Sequence, residues 1–145
     1  MANYPTVLHY EMLHDPQTAA AAIEQHIKRP YEGYVQAYGD GIIGGPTGHY
    51  TRASYYPLVY AKGDLFFEAL RREMGDEAFF RGLQSYYGDC KYRVATPENL
   101  LGAMEKAHGR PAERVLSALG VHRTGHLSRI RALFRGNNRC RFGVI

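Results

Sequence analysis

The sequence has no tryptophan and only two cysteines in 145 residues. Cys90 and Cys140 are too few for a disulfide framework and show no metal-type spacing. They read as free thiols, which belong in a reducing compartment, so a cytoplasmic location is expected. No run approaches the ~18 apolar residues that a membrane span requires. The opening MANYPTVLHYEMLHDP lacks a basic start leading into an apolar core, so no signal peptide is expected. No convincing apolar–polar alternation of the kind a half-buried strand shows is present either.

Acid is missing from one end. From Val121 to Ile145 there are six arginines (Arg123, Arg129, Arg131, Arg135, Arg139, Arg141) and neither Asp nor Glu. The formal charge of +4 for the whole chain therefore hides a mildly acidic body and a basic tail. Arginines could neutralise phosphates, but basic tails are more often merely solvated, and aromatic interleaving is limited to Phe134 and Phe142. A nucleic-acid partner is the weakest of the readings considered, and no membrane partner is expected.

What is there is ordinary for a globular protein: 45% hydrophobic and 22% charged residues. The length suits one domain that buries roughly two-thirds of its surface. The reading divides it into a body, residues 1–120, and the basic tail, residues 121–145.

Helix signals punctuate the body. Asp15-Pro16 is a cap followed by a first-turn proline, and strong helix formers continue to an expected stop at Arg29-Pro30. Gly39 to Tyr50, GDGIIGGPTGHY, reads as an irregular surface loop, with no phosphate-cradling motif. The next helix is expected from Pro57 to Gly75, burying a face made by Val59, Gly63, Phe66, Leu70 and Met74. Asp76 is expected to cap another helix that stops at Gly88. Thr96-Pro97 opens one closed by Gly109, and Pro111 begins a short one ending near Gly120. Short connections imply antiparallel neighbours, so the expected fold is an all-α, antiparallel helical bundle. Beyond Gly120 one or two helical turns could form around Leu127 to Phe134.

The stretch YYPLVYAKGDLFFEA, residues 55–69, asks for more than a helix start. Tyr60 falls in the first turn of the expected helix. A phenol with an ordinary pKa near 10 keeps its proton at neutral pH, so it can donate to a developing oxyanion. Gly63 costs about 1 kcal/mol of helix propensity, which a sequence accepts where two elements must touch. Lys62 and Gly63 read as structural, serving helix position and close packing.

These residues carry a resemblance. Tyr60-Ala61-Lys62-Gly63 is followed by Leu70-Arg71 and by Met74-Gly75-Asp76-Glu77 with Phe79. Ala95-Thr96 with Asn99-Leu100 comes after a short loop. As an ordered set over about Tyr4 to Gly109, they resemble the gluzincin zinc aminopeptidases, the family of alanyl aminopeptidase and leukotriene hydrolase. The resemblance implies the helical, C-terminal part of a thermolysin-like catalytic domain. It also implies that Tyr60 hydrogen-bonds the tetrahedral intermediate while zinc polarises the scissile carbonyl.

The family's zinc site is absent from the sequence. Two histidines one turn apart with a glutamate between them would hold the metal and activate water. None of the seven histidines sits in that pattern. His122 and His126 have the spacing without the glutamate, and Gly125 weakens any helix there. His9, His14, His26, His49 and His108 read as ordinary surface or half-buried residues. The Gly-x-Met-Glu-Asn strand that holds a substrate amino terminus is missing too. So are the family's tryptophan and the Gly-x-(Asp/Asn)-Leu segment, replaced here by Gly109-Arg-Pro-Ala-Glu-Arg-Val.

Ala2-Asn3-Tyr4 is similar to the stretch just after the family's third zinc ligand. The expectation is therefore a fragment of a zinc metallopeptidase, a peptide hydrolase inactive alone. It would bind no zinc itself, and its partners would be the missing zinc-bearing half and a peptide substrate. The exposed Tyr55-Tyr56-Pro57 stretch would favour a homodimer. A competing reading keeps the scaffold without the chemistry, as a non-catalytic helical interaction module.

Overall fold

Asp15 accepts from the backbone N–H groups of Gln17 and Thr18 at 2.9 and 3.0 Å, and Pro16 needs no donor in the first turn. That is how the first long helical run of this computed structural model begins. The structure describes residues 3–41, 43 and 46–110. Every regular element among them is helical, as the sequence led us to expect. The expected helix after Pro111, the turns around Leu127, the His122–His126 pair and Cys140 lie outside the described residues.

A short helix, α1 (Tyr4–Leu13), precedes that run. The run itself comprises α2 (Pro16–Ile23), a π-helical segment π1 (Glu24–Lys28) and α3 (Arg29–Tyr38), without a break. The expected stop at Arg29-Pro30 is not one. Proline has no N–H to give the carbonyl four residues back, here that of His26. Widening to i→i+5 pairing absorbs the fault, and the Arg29 N–H donates to Glu24. The His26 carbonyl instead accepts from the Tyr56 hydroxyl at 2.9 Å, across from another helix.

The second long run also begins earlier than Pro57. Thr51 and Ser54 form a reciprocal capping box, which starts α4 (Arg52–Ser54). A longer π segment follows, π2 (Tyr55–Lys62), and then α5 (Gly63–Met74). The π turns rotate the face that an α-helix would have buried. Leu58, Ala61 and Lys62 are buried, whereas Val59 and Gly63 are only half-buried. A Cβ added at Gly63 would meet nothing within 4 Å, so the close approach expected there does not occur.

The core sits around α5. Leu65, Phe66, Phe67, Ala69, Leu70 and Met74 are buried on several sides of it, against α1, π1, π2 and the next helix. Burying each large apolar side chain contributes about 1.5–3 kcal/mol. Tyr4 joins this core from α1, with its ring 5.6 Å from Phe67 and 5.8 Å, edge-on, from Phe79.

A hairpin completes the described chain: α6 (Asp76–Cys90) and α7 (Pro97–His108). The turn into α6 is made by Gly75, whose φ of +77° suits only glycine comfortably. Asp76 does not cap the helix as expected. Its carboxylate takes two hydrogen bonds from Arg71 instead, at 2.7 and 3.0 Å. Nor does α6 stop at Gly88; it continues to Cys90. The α7 boundaries are those expected, a Thr96–Asn99 capping box and a left-handed Gly109. The two helices touch at Gly82, where an added Cβ would come within 2.7 Å of the Met104 sulfur and 3.3 Å of the Ala107 Cβ.

Candidate active-site tyrosine and its surroundings

The π2 segment sets the position of Tyr60. Instead of opening a helix, as expected, Tyr60 lies two turns in, at a half-exposed position. It rests on the aromatic residues of the preceding turn. Its centroid is 5.6 Å from that of Tyr55 at 64°, and 5.9 Å from that of Tyr56 at 31°. Tyr55 in turn meets Tyr50 edge-on at 6.1 Å. Tyr50 is the last residue of the glycine-rich stretch, so the end of that stretch returns to the turns that carry Tyr60.

The start of the stretch is tied to the same turns. Lys62 is wholly buried. Its Nζ lies 2.7 Å from Asp40 Oδ1 and donates to the Gly41 carbonyl at 2.6 Å. The Gly41 N–H donates to that same carboxylate oxygen at 2.8 Å. Lys62 also stands 5.7 Å from the Tyr31 ring centroid. Burial pulls the Lys62 ammonium below the usual lysine range, against the opposite pull of Asp40. The sequence reading gave Lys62 a packing role, and the structure adds an ion pair to it. A lysine and an aspartate inside an otherwise apolar stretch signal buried charge, but not its pairing with residues 40 and 41.

That aspartate, Asp64, is buried as well. Burial pushes its carboxyl up to about 6, and the Asn3 side-chain amide, donating at 3.0 Å, only partly opposes this. One turn on, Glu68 accepts from the Tyr4 hydroxyl at 3.1 Å. Burial and the Glu68 carboxylate together raise the Tyr4 phenol well above the usual tyrosine range. Arg71 ties three elements, binding Glu11 at 2.6 Å and Asp76 while it covers the Phe80 ring. These residues fasten α1 to α5 and α5 to α6, away from the Tyr60 turns.

The histidines remain scattered. His9, His14, His26 and His49 are exposed and His108 is half-buried. Among the described residues, no group of three or more His, Cys, Asp or Glu side chains could hold a metal ion. Also among them, no helix is long and apolar enough to cross a membrane.

The peptidase family M1 domain matches residues 47–119, half of the chain, and the matched stretch contains Tyr60, Lys62 and both helices of the hairpin. Aminopeptidase N of Lactococcus lactis subsp. lactis is 40% identical over 53 residues, which is 37% of this chain and 6% of that protein. Aminopeptidase N of Streptomyces lividans is 38% identical over 53 residues, with the same coverage. The protein named probable aminopeptidase 2 of Sulfurisphaera tokodaii is 26% identical over 105 residues, covering 72% of this chain and 11% of its own length. The chain thus spans no more than about a tenth of the length of these relatives. No solved structure matches. With this match over half of its length, the chain belongs to peptidase family M1.

Proposed function

We propose that the chain is part of an aminopeptidase catalytic domain, and that Tyr60 supplies a hydrogen bond to the oxyanion formed as a peptide bond is attacked. One observation carries the reading. The Tyr60 phenol stands half-exposed on the Tyr-x-Lys-Gly helix, where a bound peptide could reach it, while its helical neighbours Leu58, Ala61 and Lys62 are buried. The relatives' names supply the reaction class, and the family's tyrosine supplies the role.

The chemistry available at this position is donation from a neutral hydroxyl. Ring contacts with Tyr55 and Tyr56 limit where the phenol can swing, so its oxygen is partly pre-positioned. A fixed donor aimed at developing charge acts without reorganising during the reaction. Removing one such donor typically lowers kcat by about 10²–10³-fold.

Zinc, which the family resemblance implies, does not fit the described residues, among which no cluster of metal-binding side chains forms. In this proposal the metal is held by a separate zinc-bearing segment, and this chain alone is inactive. Peptide is the substrate of the assembled domain.

A chimera tests the role of Tyr60. Residues 47–119 replace the matching stretch of the Lactococcus lactis aminopeptidase N, and hydrolysis of an aminoacyl anilide is measured. Tyr60→Phe in the active chimera is expected to lower kcat by about 10²–10³-fold with KM little changed. An active chimera that tolerates Tyr60→Phe would overturn the catalytic role and favour the interaction-module reading.

A further inference from the structure

We infer that Lys62 is a positioning residue for the Tyr60 site: its buried ammonium clamps the start of the glycine-rich segment to the helix that carries Tyr60. Its described ends, Asp40–Gly41 and Tyr50, are thereby held against the turns that carry the phenol. This inference rests on the proposed role of Tyr60, beside which these held ends would orient a peptide.

Three observations support the clamp. Nζ reaches two acceptors on the segment, the Asp40 carboxylate at 2.7 Å and the Gly41 carbonyl at 2.6 Å. A buried ammonium is costly unless paired and hydrogen-bonded, so these contacts are required by the burial itself. Beside them the backbone comes close to the helix at Gly41, where an added Cβ would lie 2.5 Å from the Leu58 Cδ1. Further along, Ile43 packs against the core. The segment then ends at Tyr50, which meets Tyr55, which meets Tyr60. Both ends of the segment are therefore fixed to the turns from Tyr55 to Lys62.

Volume alone does not explain Lys62. A methionine of similar length would fill the same space but leave the Gly41 carbonyl and Asp40 without their shared donor. Asp40 keeps part of its side chain in solvent, so a longer carboxylate has room there. This gives a charge-specific test that a purely structural role would not pass.

Amide hydrogen exchange is measured on the full 145-residue chain, together with ring resonances of labelled tyrosines, Tyr60 being assigned by its loss in Tyr60→Phe. In Lys62→Met and Asp40→Asn, the Gly41, Ile43 and Tyr50 amides should exchange at least about tenfold faster, the loss of a charged hydrogen bond. Asp40→Glu should stay within about twofold of the parent, and amides in α6 and α7 should not change in any variant. The Tyr60 ring resonance should move in Lys62→Met and Asp40→Asn only. Equal exchange in Asp40→Asn and Asp40→Glu, an unmoved Tyr60 ring, or equal loosening of the hairpin would overturn the inference. Should Lys62→Met fail to fold, the Asp40 pair decides alone. Hydrolysis is not read here, so a chimera indifferent to Tyr60→Phe would remove the catalytic role and leave the clamp standing. Failure of the clamp would leave the catalytic role untouched.

Discussion

The α6–α7 hairpin and the π-helical turns around Tyr60 are built from similar residues and held by different means. The hairpin is regular: a glycine turn at Gly75, a capping box at Thr96, a left-handed Gly109, and close contact at Gly82. Its polar side chains pair mostly with neighbours in sequence, as Thr96 does with Asn99, although Arg81 also reaches across it to the Ala107 carbonyl. The π1 and π2 segments pack against each other and carry a proline each beside or within them, Pro30 and Pro57. Their polar contacts reach far along the chain: Tyr56 to His26, Lys62 to Asp40. Local rules close a hairpin by themselves. A widened helix persists only where distant groups hold it, and such places can present a side chain at an angle that a regular helix does not.

The largest effect is expected in the regular region. Phe79 is fully buried and meets the Tyr4 ring, so it links the hairpin to α1 and α5. Phe79→Ala should lower stability by about 3–5 kcal/mol, read as a lower urea midpoint with an unchanged slope. A loss under about 1 kcal/mol would mean that the hairpin closes without this anchor.

The same contrast governs what the sequence disclosed. The α7 boundaries were legible because Thr96, Asn99 and Gly109 act within one turn of where they stand. The resemblance to the family was legible for a similar reason, since Tyr60, Lys62, Gly75 and Asp76 keep their spacing whatever surrounds them. Pro30 misled, because a proline ends an α-helix unless something supplies its missing hydrogen bond, and the supplier, Tyr56, lies in another helix. Gly63 misled in the same way: the π turns rotate it off the buried face, and periodicity assumes that no such rotation occurs. The Lys62–Asp40 pair depended on folding the loop back over the helix, which no local pattern records.

Two aspartates sharpen the comparison next. Asp76, at the hairpin, is held below the usual carboxylate range by the Arg71 guanidinium. Asp64, just after π2, is pushed up to about 6 by burial. The folded state thus keeps the Asp64 proton at pH values where the unfolded chain, near the usual ~3.9, has released it. Stability from this group is full below about pH 4, falls as pH rises toward 6, and stays low above. The fall is on the order of 2–3 kcal/mol. Asp64→Asn, which can still accept from Asn3, should flatten that slope and raise stability at pH 7 by a similar amount. Thermal unfolding at several pH values reads it, and a slope unchanged by the substitution would assign it to other groups.

The smallest effect falls on the bond between the two π segments. The Tyr56 hydroxyl serves the carbonyl that Pro30 cannot, yet its side chain is partly in water, which can replace it. Tyr56→Phe should therefore cost no more than about 1 kcal/mol by denaturation. Its local consequence should be clearer than its global one, because the hydroxyl joins two segments whose own hydrogen bonds are widened. Amides from Glu24 to Lys28 should exchange faster in Tyr56→Phe while those in α7 keep their rates. A second substitution, Pro30→Ala, restores a donor for the His26 carbonyl. In that background the loss of the Tyr56 hydroxyl should matter less, and the double-mutant cycle should show coupling between positions 30 and 56. Additive costs would mean that proline and hydroxyl act independently, and π1 would then owe its shape to packing against π2 rather than to the missing hydrogen bond.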